Sequence, residues 1–140
     1  MLGPMLRFLS AAALIGALAP SPLLAAPDTE LRPDLRPDLR IDLHCAAAFA
    51  LAASEQARGN AAALALPPLA ERGKRFFADV GTRAVEDGGM TQAAVQDLLV
   101  AEVTAIQRRT AADPGHALAA EVAPCLARLD SAAPDAKSPF

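Results

Sequence analysis

The apolar positions of this chain fall into three regimes. A leading run, Phe8 to Leu18, is almost purely apolar. A proline-punctuated stretch follows, with Leu31-Arg32-Pro33-Asp34 repeated as Leu35-Arg36-Pro37-Asp38 and resumed at Leu39-Arg40. From residue 42 onward the apolar residues recur at three- and four-residue spacing, the signature of helices with one buried face. The first helix is predicted from Leu43 to about Arg58, with Asp42 as its N-cap and Gly59-Asn60 as its stop. Its face, Cys45, Phe49, Ala52 and Ala53, is narrow and mostly small. Residues 61 to 66 are apolar and fit either a short helical turn or a packed loop. Pro67-Pro68 suits the opening of a second helix, Leu69 to about Val85, with the stripe Leu69, Gly73, Phe76, Phe77, Val80 and Ala84. On that stripe Gly73 marks a close helix contact, and the two phenylalanines are expected in the core.

The third helix has the clearest start. Thr91 is its N-cap, and Met90 with Val95 have the spacing of a hydrophobic staple. Val95, Leu98, Leu99, Glu102, Val103 and Ile106 follow on one face, and Arg108-Arg109 suit its C-terminal pole. Asp113-Pro114-Gly115 reads as a turn. The fourth helix carries Leu118, Val122, Cys125, Leu126 and Leu129, and Pro124 must kink it or split it. The expected fold is therefore all-α, a four-helix up-down bundle over residues 42–130. Residues 27–41 are read as an extended linker, because a proline every fourth residue removes helix donors. Residues 131–140 are read as a disordered tail.

Composition sharpens this picture. The chain has 140 residues, 53% of them hydrophobic, with no Trp or Tyr and only five Phe. That suits one alanine-rich helical domain whose small side chains bury little area each. The formal net charge is −3, with no basic stripe, which argues against nucleic acid as a partner. Arg7, the apolar run behind it, the Pro20-Ser21-Pro22 break and Leu23-Leu24-Ala25-Ala26 read as a secretory signal peptide over residues 1–26. Cleavage would leave 12 basic (13 less Arg7) against 16 acidic residues and no stable membrane insertion. The expected location is outside the cytosol, in the periplasm.

An oxidising compartment makes a disulfide the default for two cysteines. In an up-down bundle Cys45, near the start of the first helix, and Cys125, near the end of the last, fall at the same end. A redox pair is the rival reading, but the C-x-x-C spacing of such pairs is missing. A metal site would require His44 or His116 beside the thiols, and a third ligand is not evident. No nucleophile elbow surrounds Ser54, and Gly88-Gly89 lacks the Lys and Ser/Thr of a phosphate loop. No catalytic residue, cofactor or metal is therefore assigned. Glu55 and Glu71 are candidates for a polar cluster. Glu102 is the oddity, a carboxylate on a core stripe; it must sit at the edge or pair with an arginine such as Arg75 or Arg83.

The run Cys45-Ala46-Ala47-Ala48-Phe49-Ala50, with Glu55-Gln56-Ala57-Arg58-Gly59 behind it and Pro124-Cys125-Leu126 near the end, resembles small uncharacterised exported helical proteins of proteobacteria. That resemblance implies fold and location and brings no activity. In architecture alone, one long-range disulfide in a small helical body is similar to periplasmic acid-stress chaperones of the HdeA type. The function expected is a periplasmic interaction module without catalysis, its partner another envelope protein or a second copy of itself. The rivals are a chaperone-like stress protein exposing the apolar face of the second and third helices, and a small enzyme or ligand carrier with a pocket holding Glu55, Glu71 and His44 together.

Overall fold

The structure is a computed structural model describing residues 35–132. The signal peptide, the first repeat of the proline stretch and the tail from residue 133 lie outside the described residues. Every regular element described is helical: α1 (Pro37–Ala57), α2 (Ala61–Leu64), α3 (Ala70–Glu86), α4 (Gln92–Thr110), α5 (Pro114–Val122), a 3-10 turn (Ala123–Cys125) and α6 (Leu126–Ala132). None is long and apolar enough to cross a membrane.

The first correction concerns where α1 begins. It starts at Pro37, inside the stretch expected to be linker, and Asp42 is an interior residue and not the cap. Proline is excluded from helix interiors, but at the first helical position its missing N–H is one that would have no intrahelical partner anyway. The last proline of the repeat therefore opens the helix, and the amide of Arg40 bonds to the carbonyl of Arg36 at 3.1 Å. Leu35 and Leu39, the repeat's own leucines, are then buried against the core. At the other end of the chain, Ser131 and Ala132, assigned to the disordered tail, belong to α6.

The second correction concerns α1's surroundings. Its face was expected to be narrow, yet every residue from Cys45 to Phe49 is buried, so the helix is covered on all sides along that stretch, while Ile41 and Ala50 on either side of it are exposed. Helices α3, α4 and α5 all pack against it. Alanine makes this possible, because helix axes approach closely only where side chains are small. Gly73 of α3 completes the fit: a Cβ there would stand 3.2 Å from the Cβ of Phe49. One turn on, the rings of Phe49 and Phe76 meet edge to face, centroids 5.2 Å apart at 84°. Phe77 does not join them. It is 36% exposed, because a residue one step from Phe76 on a helix points about 100° away.

Connections are fixed by side chains whose roles follow from local chemistry. Gly59, at φ 77°, ends α1; its amide bonds to Gln56 O and that of Asn60 to Glu55 O, the paired bonds of a Schellman stop. Asn60 then caps α2 by accepting from the amides of Ala62 and Ala63. Gln56 holds the whole connection. Its Nε2 donates to Ala63 O at 3.0 Å and Pro67 O at 2.9 Å, while its Oε1 accepts from the amide of Leu69 at 3.0 Å. Thr91 caps α4 as expected, with Met90 and Val95 both buried. Asp113, read as part of a turn, caps α5 through the amide of His116. Pro124 splits the last helix, and the 3-10 turn at the break carries Cys125.

Two glycines of α3 give a contrast that tests this packing. Gly81 has nothing within 4 Å of a built Cβ. Gly81→Ala should therefore stabilise by about 0.5–1 kcal/mol, the helix-propensity difference. Gly73→Ala should lose that gain to the displaced Phe49 contact and come out neutral or destabilised. Urea unfolding of both variants reads the difference, and equal stabilisation by the two would contradict a close α1–α3 approach.

Candidate functional site

Cys45 and Cys125 are bonded, with sulfurs 2.01 Å and Cα atoms 5.4 Å apart across 80 residues of sequence. Both are buried. On either side of this bond, the same stretch of α1 carries an ionic cluster, and the sequence flagged only part of each.

The first cluster surrounds His44. Its Nδ1 lies 2.7 Å from Oε1 of Glu102 on α4, and its Nε2 lies 3.2 Å from Oε2 of Glu121 on α5. Arg109 closes the group. Its Nε donates to Oε1 of Glu121 at 2.9 Å, and its Nη2 stands 3.6 Å from Glu102. Glu102 thus does pair, but with His44 and Arg109, not with Arg75 or Arg83. The hydrogen bond to Glu102 raises the His44 pKa above its ordinary value, against partial burial, which lowers it. The negative charges of Glu102 and Glu121 raise it further, and Arg109 opposes them. The same bond lowers the pKa of Glu102, against its burial. His44 keeps contact with solvent through a shallow depression of about 400 Å³ lined by Pro37, Arg40, Ile41 and Glu102.

The second cluster surrounds Asp42, whose carboxylate is buried. Arg83 of α3 donates to its Oδ2 at 2.9 Å, and Arg128 of α6 donates to its Oδ1. Arg83 also donates to Asp79 through Nε at 3.0 Å. Two guanidinium groups satisfy both carboxylate oxygens, which is the condition for burying such a charge.

The remaining candidates are dispersed. Glu55 pairs with Arg58 at 2.6 Å at the far end of α1, about 16 Å along the helix from His44. Glu71 is exposed at the start of α3, and His116 is exposed beside Asp113. Glu55, Glu71 and His44 are therefore not brought together. Among the described residues, no group of three His, Cys, Asp or Glu side chains is arranged to hold a metal ion. A separate groove of about 370 Å³ runs between α3 and α4, with Phe77, Val85, Val95 and Leu99 in its wall and Thr82, Glu86 and Gln96 beside them.

Arg128 and Glu121 escape the sequence reading, while Asp42, Arg83 and Arg109 appear there in other roles, as a helix cap, a candidate partner of Glu102 and a C-terminal charge. Asp42 carried a usable signal: once Pro37 is allowed to open the helix, it falls on one stripe with Leu39, Ala46 and Phe49. Glu121 lies one turn before Cys125, and Arg109 two turns after Glu102, so each shares a face with a residue already singled out.

Two outcomes follow. Asp42→Asn weakens two charge-assisted bonds and should cost about 2 kcal/mol in urea unfolding, and an unchanged midpoint would contradict the buried cluster. For the His44–Glu102 pair, a raised histidine contributes stability that is complete below its ordinary 6.5 and is lost as pH rises through the folded value. A lowered carboxylate contributes stability that is complete above its ordinary 4.5 and is lost as pH falls through the folded value. The pair should contribute most between these two values. Denaturation midpoints measured from acid to alkali should fall on the alkaline side, and Glu102→Gln should flatten that limb.

No protein-family model matches the chain, and neither does any curated protein or solved structure.

Proposed function

We propose that this chain is an exported, periplasmic helical module that acts by contact with another envelope protein or with itself, without catalysis. The observation that carries this reading is how the molecule uses its polar groups. His44 bonds to Glu102, and Asp42 to Arg83, each across helices. An imidazole with a carboxylate at each nitrogen is committed to holding helices together and is ill-placed to take a proton from a substrate. The groove between α3 and α4, by contrast, offers apolar walls and the exposed ring of Phe77 to solvent. Such a surface suits an apolar side chain of a partner.

The disulfide favours an oxidising compartment. An up-down order of the main helices belongs to the same proposal. Asp42 meets Arg83 and Phe49 meets Phe76, which runs α1 against α3, and Cys45 meeting Cys125 with Asp42 meeting Arg128 runs α1 against the last segment. The relation to small exported proteins of proteobacteria is likewise proposed on the residues quoted above. The chaperone-like reading keeps one observation in its favour: the groove lies on the two helices expected to open. An aggregation-protection assay at acidic and neutral pH tests it, and no protection at either removes it.

The main reading predicts that a photoreactive residue replacing Phe77 yields a discrete adduct in intact envelopes, whereas one replacing exposed Glu71 does not. Equal adducts at both positions, or none at Phe77, would overturn it.

A further inference from the structure

The His44 cluster carries a consequence for motion that stands apart from the contact function. Histidine has two ring nitrogens, and a neutral imidazole bears only one N–H. Here both nitrogens face carboxylates, Glu102 at 2.7 Å and Glu121 at 3.2 Å. Only the imidazolium can donate to both. A neutral ring would aim a lone pair at one carboxylate, whichever nitrogen kept the proton.

The charges facing His44 come from every helix around it: Arg40 on α1, Glu102 and Arg109 on α4, and Glu121 on α5. With His44 protonated, the two carboxylates are matched by the imidazolium and Arg109. Loss of the proton removes one of the positive charges facing the two carboxylates at a place where three helices meet, and one cross-helix bond is broken.

The helices do not share that loss equally. Glu121 lies one turn before Cys125, whose sulfur is bonded to Cys45, the neighbour of His44. The α1–α5 contact is therefore held by a covalent bond at the 3-10 turn that directly follows α5. Helix α4 has no such tie at this level, and on its other side it borders the open groove shared with α3. We propose that His44 is a proton-operated latch that fastens α4 to the disulfide-tied pair of α1 and α5. The latch is closed at mildly acidic pH and released as pH rises. Release frees the helix that supplies Leu98, Leu99 and Ile106 to the core. Solvent contact through the depression at Ile41 gives the proton a way in and out.

The test is hydrogen exchange on the oxidised chain, corrected for intrinsic rates, with the His44 ring titrated by NMR in the same samples. Protection across the middle of α4 should fall about tenfold between mildly acidic and mildly alkaline pH, the equivalent of one lost charge-assisted hydrogen bond. The amides of α1 and of the 3-10 turn should not follow. His44→Gln should abolish the pH dependence in α4. Should that variant fold poorly, Glu121→Gln serves instead, because its amide can donate to a neutral ring and the dependence should shrink. A ring titrating at or below its ordinary value would overturn the latch. So would α4 protection that holds steady, that falls together with α1, or that keeps its pH dependence in both variants.

Discussion

The bond between Cys45 and Cys125 joins α1 to the last segment of the chain and closes a loop of 80 residues. In the chain-entropy view such a closure removes roughly 4 kcal/mol of freedom from the unfolded ensemble. That is a large share of what holds a small domain together. Its position matters as much as its strength. The stretch of α1 from Asp42 to Cys45 carries three links to the chain's C-terminal part: Asp42 to Arg128, His44 to Glu121 and the disulfide itself. One turn of one helix thus anchors a segment that Pro124 has broken into short pieces, none of which would be stable alone.

Around that turn the fold obeys the geometry of small side chains. The alanines from Ala46 to Ala48 allow neighbours in on every side of that stretch, and Gly73 admits the backbone of α3 against Phe49. A core of this kind gains little from each residue's area and more from the number of close contacts. The ionic clusters complete it at its edges. Asp42 is satisfied at both oxygens by arginines from α3 and α6, so it joins three elements with a single side chain. On the opposite side of the cysteine pair, His44 does the same for α1, α4 and α5. The two devices differ in one respect. Arginine keeps its charge across the accessible pH range, whereas histidine does not.

Much of this was legible in the residues. The helix stripes, the cap at Thr91, the stop at Gly59 and the break at Pro124 all rest on local rules that tertiary structure had no reason to override, whereas the pairing of the cysteines follows from the order of the helices. The start of α1 was misread because a repeat containing proline suggests extended chain, whereas its last proline sits where a helix tolerates one. Phe77 was placed inside because adjacent aromatics both touch the apolar stripe, and only one can face it. The clusters were half visible. Glu102 announced itself as a carboxylate among core positions, but its partner depended on which helix lies opposite, and no spacing within one helix encodes that. Gln56 gave no signal at all; its three carbonyl partners and one amide are gathered by a loop whose path the sequence left open.

The rest of the structure depends on a covalent tie between α1 and the last segment of the chain. Alkylation of protein freshly isolated from its native cells, followed by peptide mapping without reductant, tests it most directly. The account predicts a peptide containing Cys45 crosslinked to one containing Cys125, with neither thiol alkylated. Recovery of both cysteines as alkylated thiols would contradict it.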